Sequence, residues 1–235
     1  MSIEPRLSFG RAVDAYERAR PQYAEAAVAY LASRLPMRRV LDLGAGTGKL
    51  TRQLVPVAES VLAVEPDDDM RAMLERVLPD VESLRGSAEA IPLPDGSVDT
   101  VAAAQAFHWF EPDLALGEVH RVLVPGGGFA VLWNEYDWPE LNAIVDRLRA
   151  APVPGDDSDA PLLATNLFSR FEKRTFAHSD RVDGAVVVER ISSISSVIAA
   201  PAEDRGRALE DIRRLVGDAI VGFPMITHVL AADRA

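Results

Sequence analysis

The sequence predicts an α/β protein built on a mostly parallel, doubly wound sheet. Three observations carry that expectation. Short apolar runs alternate with helical stretches from Arg39 to Trp133. A glycine-rich corner, Gly44-Ala45-Gly46-Thr47-Gly48, joins the first run to the first helical stretch. The acidic residue Glu65 closes the second run. Strands separated by helices favour parallel pairing through right-handed crossovers. Ligands of such sheets bind beyond the carboxyl ends of the strands, where the strand order reverses.

Each element follows from its local pattern. Arg39 to Leu43 is a short buried strand, and Lys49 to Val55 has helical spacing. Ser60 to Glu65 is a second strand and Asp67 to Leu78 a second helix. Its acidic start suits an N-cap and the helix dipole. Val81 to Arg85 is a weaker third strand. The turn Pro94-Asp95-Gly96 announces a fourth, Val98 to Ala104. Pro112 to Val122 reads as a helix. The turn Pro125-Gly126-Gly127-Gly128 then precedes a fifth strand, Phe129 to Trp133. Beyond Pro139 the pattern loosens. Glu140 to Ala150 looks helical and Ala151 to Ala160 reads as an exposed loop. Phe171 to Val182 alternates as an edge strand would. Gly184 to Ala200 and Pro201 to Gly217 are helix candidates, and Phe223 to Ala232 is the last strand.

One domain over 1–235 is the economical organisation. Within it, 1–37 forms an N-terminal helical cover and 139–220 a partial cap. The net charge of −11, with no basic cluster, disfavours nucleic acid and favours a small-molecule or protein partner. No run of eighteen apolar residues suggests a membrane span, and the charged N-terminus lacks a signal core. Cysteine is absent, which excludes disulfides and thiolate metal sites and fits a cytoplasmic setting.

The corner carries the chemistry. Glycine permits positive φ and lets a ligand approach the main chain. The following helix start offers unpaired N–H groups. A carboxylate at Glu65 can accept from both hydroxyls of a ribose. A nucleoside ligand therefore satisfies two separate features. Dinucleotide sites favour G-x-G-x-x-G, but the spacing here is G-x-G-x-G, with Lys49 where the third glycine would fall. Asp42, two residues before the corner, is awkward beside a pyrophosphate and suits an ammonium group or a water network near one.

At this point the chain resembles a known family. VLDLGAGTGKL, AVEP, GSAEAIPLPDGSVDTVAAAQAFHWF and EVHRVLVPGGGFAVLWN together are similar to class I S-adenosylmethionine-dependent methyltransferases, in particular the type-11 small-molecule group. FGRAVDAYERARPQY and the final FPMITHVL extend the resemblance over nearly the whole chain. It implies a Rossmann-like, doubly wound, seven-stranded sheet with an antiparallel last strand, and S-adenosylmethionine as cofactor. Gly44, Ala45 and Gly46 would pass under the methionine part. Glu65 would hold the ribose, with Pro66 beside the adenine and Met70 on its face. Ser87, Ala88 and Glu89 would line the adenine edge. Gln105 and Ala106 would lie near the methionyl chain and the transferable methyl, and Tyr16, Arg20 and Tyr23 would fold over the cofactor, with Arg20 a candidate for its carboxylate. Two departures concern the cover and the acceptor pocket: Ala24 follows Tyr23 where relatives often have proline, and Ser195-Ser196-Val197 stands where an aromatic residue is common.

Methyl transfer needs a general base only when the acceptor must lose a proton. His108, after the fourth strand, is a candidate catalytic base, or else it orients the loop or hydrogen-bonds the cofactor while Trp109 covers the adenine. Tyr23, Trp109, Trp133 and Asn134 are candidate substrate-binding residues. His120, His178 and His228 are scattered and form no metal cluster, and Asp67-Asp68-Asp69 is better explained as a helix start, so no metal is expected. Two other functions stay open: a nicotinamide-dependent oxidoreductase, and a cofactor-binding regulatory protein without turnover.

Overall fold

The computed structural model describes residues 13–148 and 160–235. In chain order the elements are α1 (Val13–Ala19), α2 (Glu25–Arg34), β1 (Arg39–Leu43), α3 (Lys49–Leu54), β2 (Ser60–Val64), α4 (Asp68–Val77), β3 (Glu82–Leu84) and β4 (Val98–Ala104). A 3-10 turn at Phe107–Trp109 leads to α5 (Pro112–Val122), β5 (Leu123–Tyr136), α6 (Pro139–Asp146) and α7 (Ala160–Ala164). The chain then forms β6 (Glu172–Asp183), α8 (Gly184–Ser192), α9 (Ser195–Ala199), α10 (Ala202–Val216) and β7 (Ile220–Asp233). The seven strands form one sheet in the order β3-β2-β1-β4-β5-β7-β6. β1 to β5 pair in parallel, and β7 runs antiparallel to both β5 and β6. This is a Rossmann-like α/β fold, and its strand order reverses between β1 and β4.

Burial explains the central strands. β1 is buried from its second residue onward and β4 over all but its last. Strands covered on both faces read as continuous apolar runs, because helices sit on each side. On one face Leu41, Leu43, Val101, Phe129 and Val131 pack with α5 and with Phe168 and Phe171. On the other, Val40, Ala102, Ala130 and Leu132 pack with α2 and α3. A third cluster lies toward the far end of β7: Phe223 and Met225 meet Leu141 and Val145 of α6, Val187 and Ile191 of α8, and Ile212 and Val216 of α10. The helices after β5 and β6 thus share a core of their own against the antiparallel strand.

Several elements differ from their expected limits. β5 begins at Leu123 rather than Phe129 and runs through the Pro-Gly-Gly-Gly stretch. Gly126 has φ +76°, and the register against β4 shifts between Val98 and Thr100, so the expected turn is absorbed as an irregularity within the strand. The single helix expected over Gly184 to Ala200 is two, α8 and α9. The break has a local cause. Ser192 Oγ donates to the Glu189 carbonyl and Ser193 Oγ to that of Arg190, while Ile194 is extended. Serine hydroxyls that take a helix's last carbonyls favour its end. α6 stops at Asp146. Except for Ala160, which opens α7, the expected loop Ala151 to Ala160 lies outside the described residues.

Candidate functional site

The site forms where β1 and β4 end side by side. Gly44 has φ +71°, and a Cβ there would stand 2.8 Å from the Cβ of Ala106. Any larger residue would push apart the corner and the loop after β4. Gly46, at φ +57°, is bare for another reason. A Cβ there would meet nothing within 4 Å. The space beside it is open, as a main chain in contact with a ligand requires.

Glu65 ties the corner together. Its Oε2 accepts from the Gly46 N–H at 2.8 Å and its Oε1 from the Asp67 N–H at 2.9 Å. Burial raises its pKa, against the lowering effect of those two N–H groups. Asp67 in turn caps α4, accepting from the N–H groups of Asp69 and Met70.

Asp42 is the most perturbed acid of the cleft. It is 1% exposed, and burial lifts its carboxyl to about 7. Thr51 donates to its Oδ2 at 2.6 Å. Its Oδ1 is buried with no hydrogen-bond partner. Buried carboxylate oxygens are ordinarily met by donors. One unmet oxygen in the wall of a cleft therefore suits a cationic donor from a ligand.

Arg20, Tyr23, Asp42, Ala45 and Gly46 line this cleft, as do Gln105, Asn134 and Tyr136. Gln105 has φ +53°, the only non-glycine residue with positive φ among those described. Its side-chain amide donates to the Asn134 carbonyl at 3.1 Å, which holds the end of β4 against β5. Strained backbone of this kind concentrates at ligand sites. Asn134 donates to the Gln22 carbonyl and accepts from Thr227, whose hydroxyl also accepts from the Ala24 N–H. The turn into α2 at Ala24 is fastened here by a buried threonine.

Other expected residues lie around the cleft or away from it. Met70 and Ala88 are buried, Pro66 is exposed, and Ser87 bridges Ala90 in the loop after β3. Glu89 accepts from the Glu111 N–H at 3.0 Å. Ala106 is buried against Gly44. The Tyr16 side chain lies outside what is described. His108 is exposed on the 3-10 turn, its ring 4.9 Å from that of Trp109, and neither lines the cleft. Trp133 is also outside the cleft lining. Alternate residues of a strand face opposite sides. Asn134 therefore meets the cleft while Trp133 stacks on His228 across the sheet, 5.0 Å and 8° apart, with Lys173 above it at 5.2 Å.

Sequence reading missed Glu17. From α1 its carboxylate accepts from Thr47 Oγ1 at 2.6 Å and from Arg52 at 2.8 Å, and pairs with Lys49 at 3.2 Å. Burial works to raise its pKa, but Thr47, Arg52 and Lys49 together hold it below the usual value. These contacts seat α1 on the glycine corner. No local signal marks them, because the partners stand thirty or more residues away.

Fold and cleft together define the class: an open α/β sheet with a ligand corner at its switch point, an acid ending the neighbouring strand, and an antiparallel terminal strand. Comparison with known proteins names the family. A model of the methyltransferase domain family matches residues 41–131. An uncharacterized methyltransferase of Mycobacterium tuberculosis is 41% identical over 217 residues, covering 89% of this chain and 86% of its own. A solved protein of Anaeromyxobacter dehalogenans, described as a candidate type II methyltransferase, is 27% identical. It superposes with a TM-score of 0.68, covering 92% of this chain and 97% of its own. Geranyl diphosphate methyltransferase, solved with S-adenosylmethionine, shares the fold at 14% identity and a TM-score of 0.54, with 90% of this chain and 85% of its own covered. The chain belongs to the class I S-adenosylmethionine-dependent methyltransferases.

Proposed function

We propose that this protein transfers a methyl group from S-adenosylmethionine to a small-molecule acceptor. The observation that carries the reading is the unmet Oδ1 of Asp42 in the wall of a cleft whose glycine corner is open at Gly46. An ammonium group matches that oxygen, and a nucleoside can lie along the bare main chain with its ribose toward Glu65. When bound, the cofactor supplies a methyl group on a sulfonium, open to in-line displacement by a nucleophile. The chain's own part is to orient and to exclude water. Asp42 and Glu65 hold the two ends of the nucleoside amino acid. Gln105, fixed to β5, sets the position of the loop after β4. Tyr23 and Arg20 close the side under α1. Asn134 and Tyr136 border the space left for the acceptor.

The nicotinamide alternative meets two acids where a pyrophosphate would lie. Asp42 is buried below the corner and Glu17 sits over Thr47 and Lys49. The test is thermal unfolding with S-adenosylhomocysteine and with NAD added separately. A ligand at a hundredfold above its Kd stabilises by about 2.7 kcal/mol. S-adenosylhomocysteine is expected to raise Tm and NAD to leave it unchanged. The reverse would overturn the reading.

A further inference from the structure

We propose that the acceptor carries a carboxylate and that Arg190 of α8 anchors it, an assignment that rests on the methyltransferase reading above. Arg190 is 5% exposed. Its Nη2 donates to Oδ2 of Asp180 at 2.6 Å. Its Nε and Nη1 are buried with no acceptor. The guanidinium lies over the Phe223 ring, 5.0 Å from the centroid. An arginine keeps its charge in a protein and presents five N–H donors. Burying that charge with two of three nitrogens unmet destabilises the fold. An apolar residue would serve the third core cluster better if packing were the whole role.

The surroundings point to an anion. Phe223 meets Tyr136 edge-on at 5.0 Å, and Tyr136 lines the cleft. Burial lowers the pKa of Lys49 against the raising effect of Glu17, and Arg52 and Arg190 add smaller lowering effects. Arg20, just beyond α1, donates to the Ser193 carbonyl at the end of α8. Two cations, Arg20 and Lys49, line the cleft, and Arg190 is linked to it through Phe223 and Tyr136. The acids beside them are Glu17, held by Thr47, Arg52 and Lys49, and Asp180, held by Arg190 itself. Unmet guanidinium N–H groups donate singly to carboxylate oxygens, and the Phe223 face supports the plane. The donors are buried, so the elements around them must part for the acceptor to reach them. The contact between α1 and α8 includes polar links: Arg18 pairs with Glu189, and Arg20 with the Ser193 carbonyl.

The test is calorimetric titration of the full chain, first with S-adenosylhomocysteine. With that ligand saturating, acetate, succinate and benzoate follow as carboxylate probes, and inorganic phosphate as the competing oxyanion. At least one carboxylate is expected to bind more tightly than phosphate. Arg190→Gln is expected to weaken it about tenfold or more, with S-adenosylhomocysteine affinity kept within about twofold. A second variant, Arg190→Met with Asp180→Asn, removes both charges of the pair at similar volume. Its Tm is expected to be no lower than that of the wild type, and carboxylates are expected no longer to raise it. A protein that binds S-adenosylhomocysteine but no carboxylate would overturn this proposal alone. Failure to bind S-adenosylhomocysteine would overturn the methyltransferase reading beneath it. Tighter binding of phosphate, or undiminished carboxylate affinity in both variants, would remove Arg190 as a carboxylate anchor.

Discussion

Glu65 has two tasks that a substitution can separate. Its oxygens hold the N–H groups of Gly46 and Asp67, and each retains a lone pair for a ribose hydroxyl. Glu65→Gln keeps the shape but exchanges one acceptor for a donor. Hydrogen bonds to charged groups are worth about 1.5–3 kcal/mol, so S-adenosylhomocysteine affinity should fall roughly tenfold to a hundredfold by calorimetry. Unchanged affinity would remove the ribose role. Gly46→Val adds side-chain atoms to open space, at a left-handed backbone that costs a branched residue about 1–2 kcal/mol. A protein that still unfolds cooperatively but no longer binds is the expected result; retained binding would show that no ligand runs beside Gly46. The glycine spacing and the acid after β2 were both legible because each is local to one strand end. The Thr51 hydroxyl on Asp42 was not, because a threonine within a helix carries no mark of what lies beneath it.

Among the elements, α1 is the one whose seat depends most on charge. Glu17 joins it to the corner, Asp14 pairs with Arg76 of α4, and Arg18 pairs with Glu189 of α8. The Asp14 and Arg18 pairs are well exposed and contribute little. Glu17 is mostly buried and holds three partners. Glu17→Ala should therefore loosen α1 and speed release of S-adenosylhomocysteine about tenfold, equivalent to ~1.4 kcal/mol, as stopped-flow displacement would show. Equal release rates would mean that α1 does not cover the ligand. The parallel strands were readable from their apolar runs, since burial on both faces leaves a continuous signature. The length of β5 was not. Its start lies in glycines that locally spell a turn, and pairing with β4 and β7 overrides that preference. The break between α8 and α9 is a similar case, decided by serine hydroxyls competing for carbonyls.

The whole molecule carries the cost of its site. Burial holds the Asp42 carboxyl near 7, above its usual value, so folding is favoured most when the group is protonated. That contribution is full below about pH 4 and is lost as pH rises through about 7. Asp42→Asn mimics the neutral form. Its Tm should match the wild type near pH 4 and exceed it at pH 8, by on the order of 2–4 kcal/mol of stability. S-adenosylhomocysteine affinity should fall in the same variant. Equal Tm values at both pH values would show that Asp42 is not held in the strained, buried state described. The third core cluster, formed by α6, α8 and α10 on β7, was the least legible part. Its residues lie as far apart in sequence as Leu141 and Met225, and helical spacing alone does not say which strand face receives them.

Crystallisation with S-adenosylhomocysteine tests the central claim most directly. The account requires the nucleoside to lie along Gly44 to Gly46, with its amino group against Asp42 Oδ1 and its ribose hydroxyls on Glu65. A nucleoside bound elsewhere, or an Asp42 oxygen met by the protein's own donors while the ligand sits in the cleft, would contradict it.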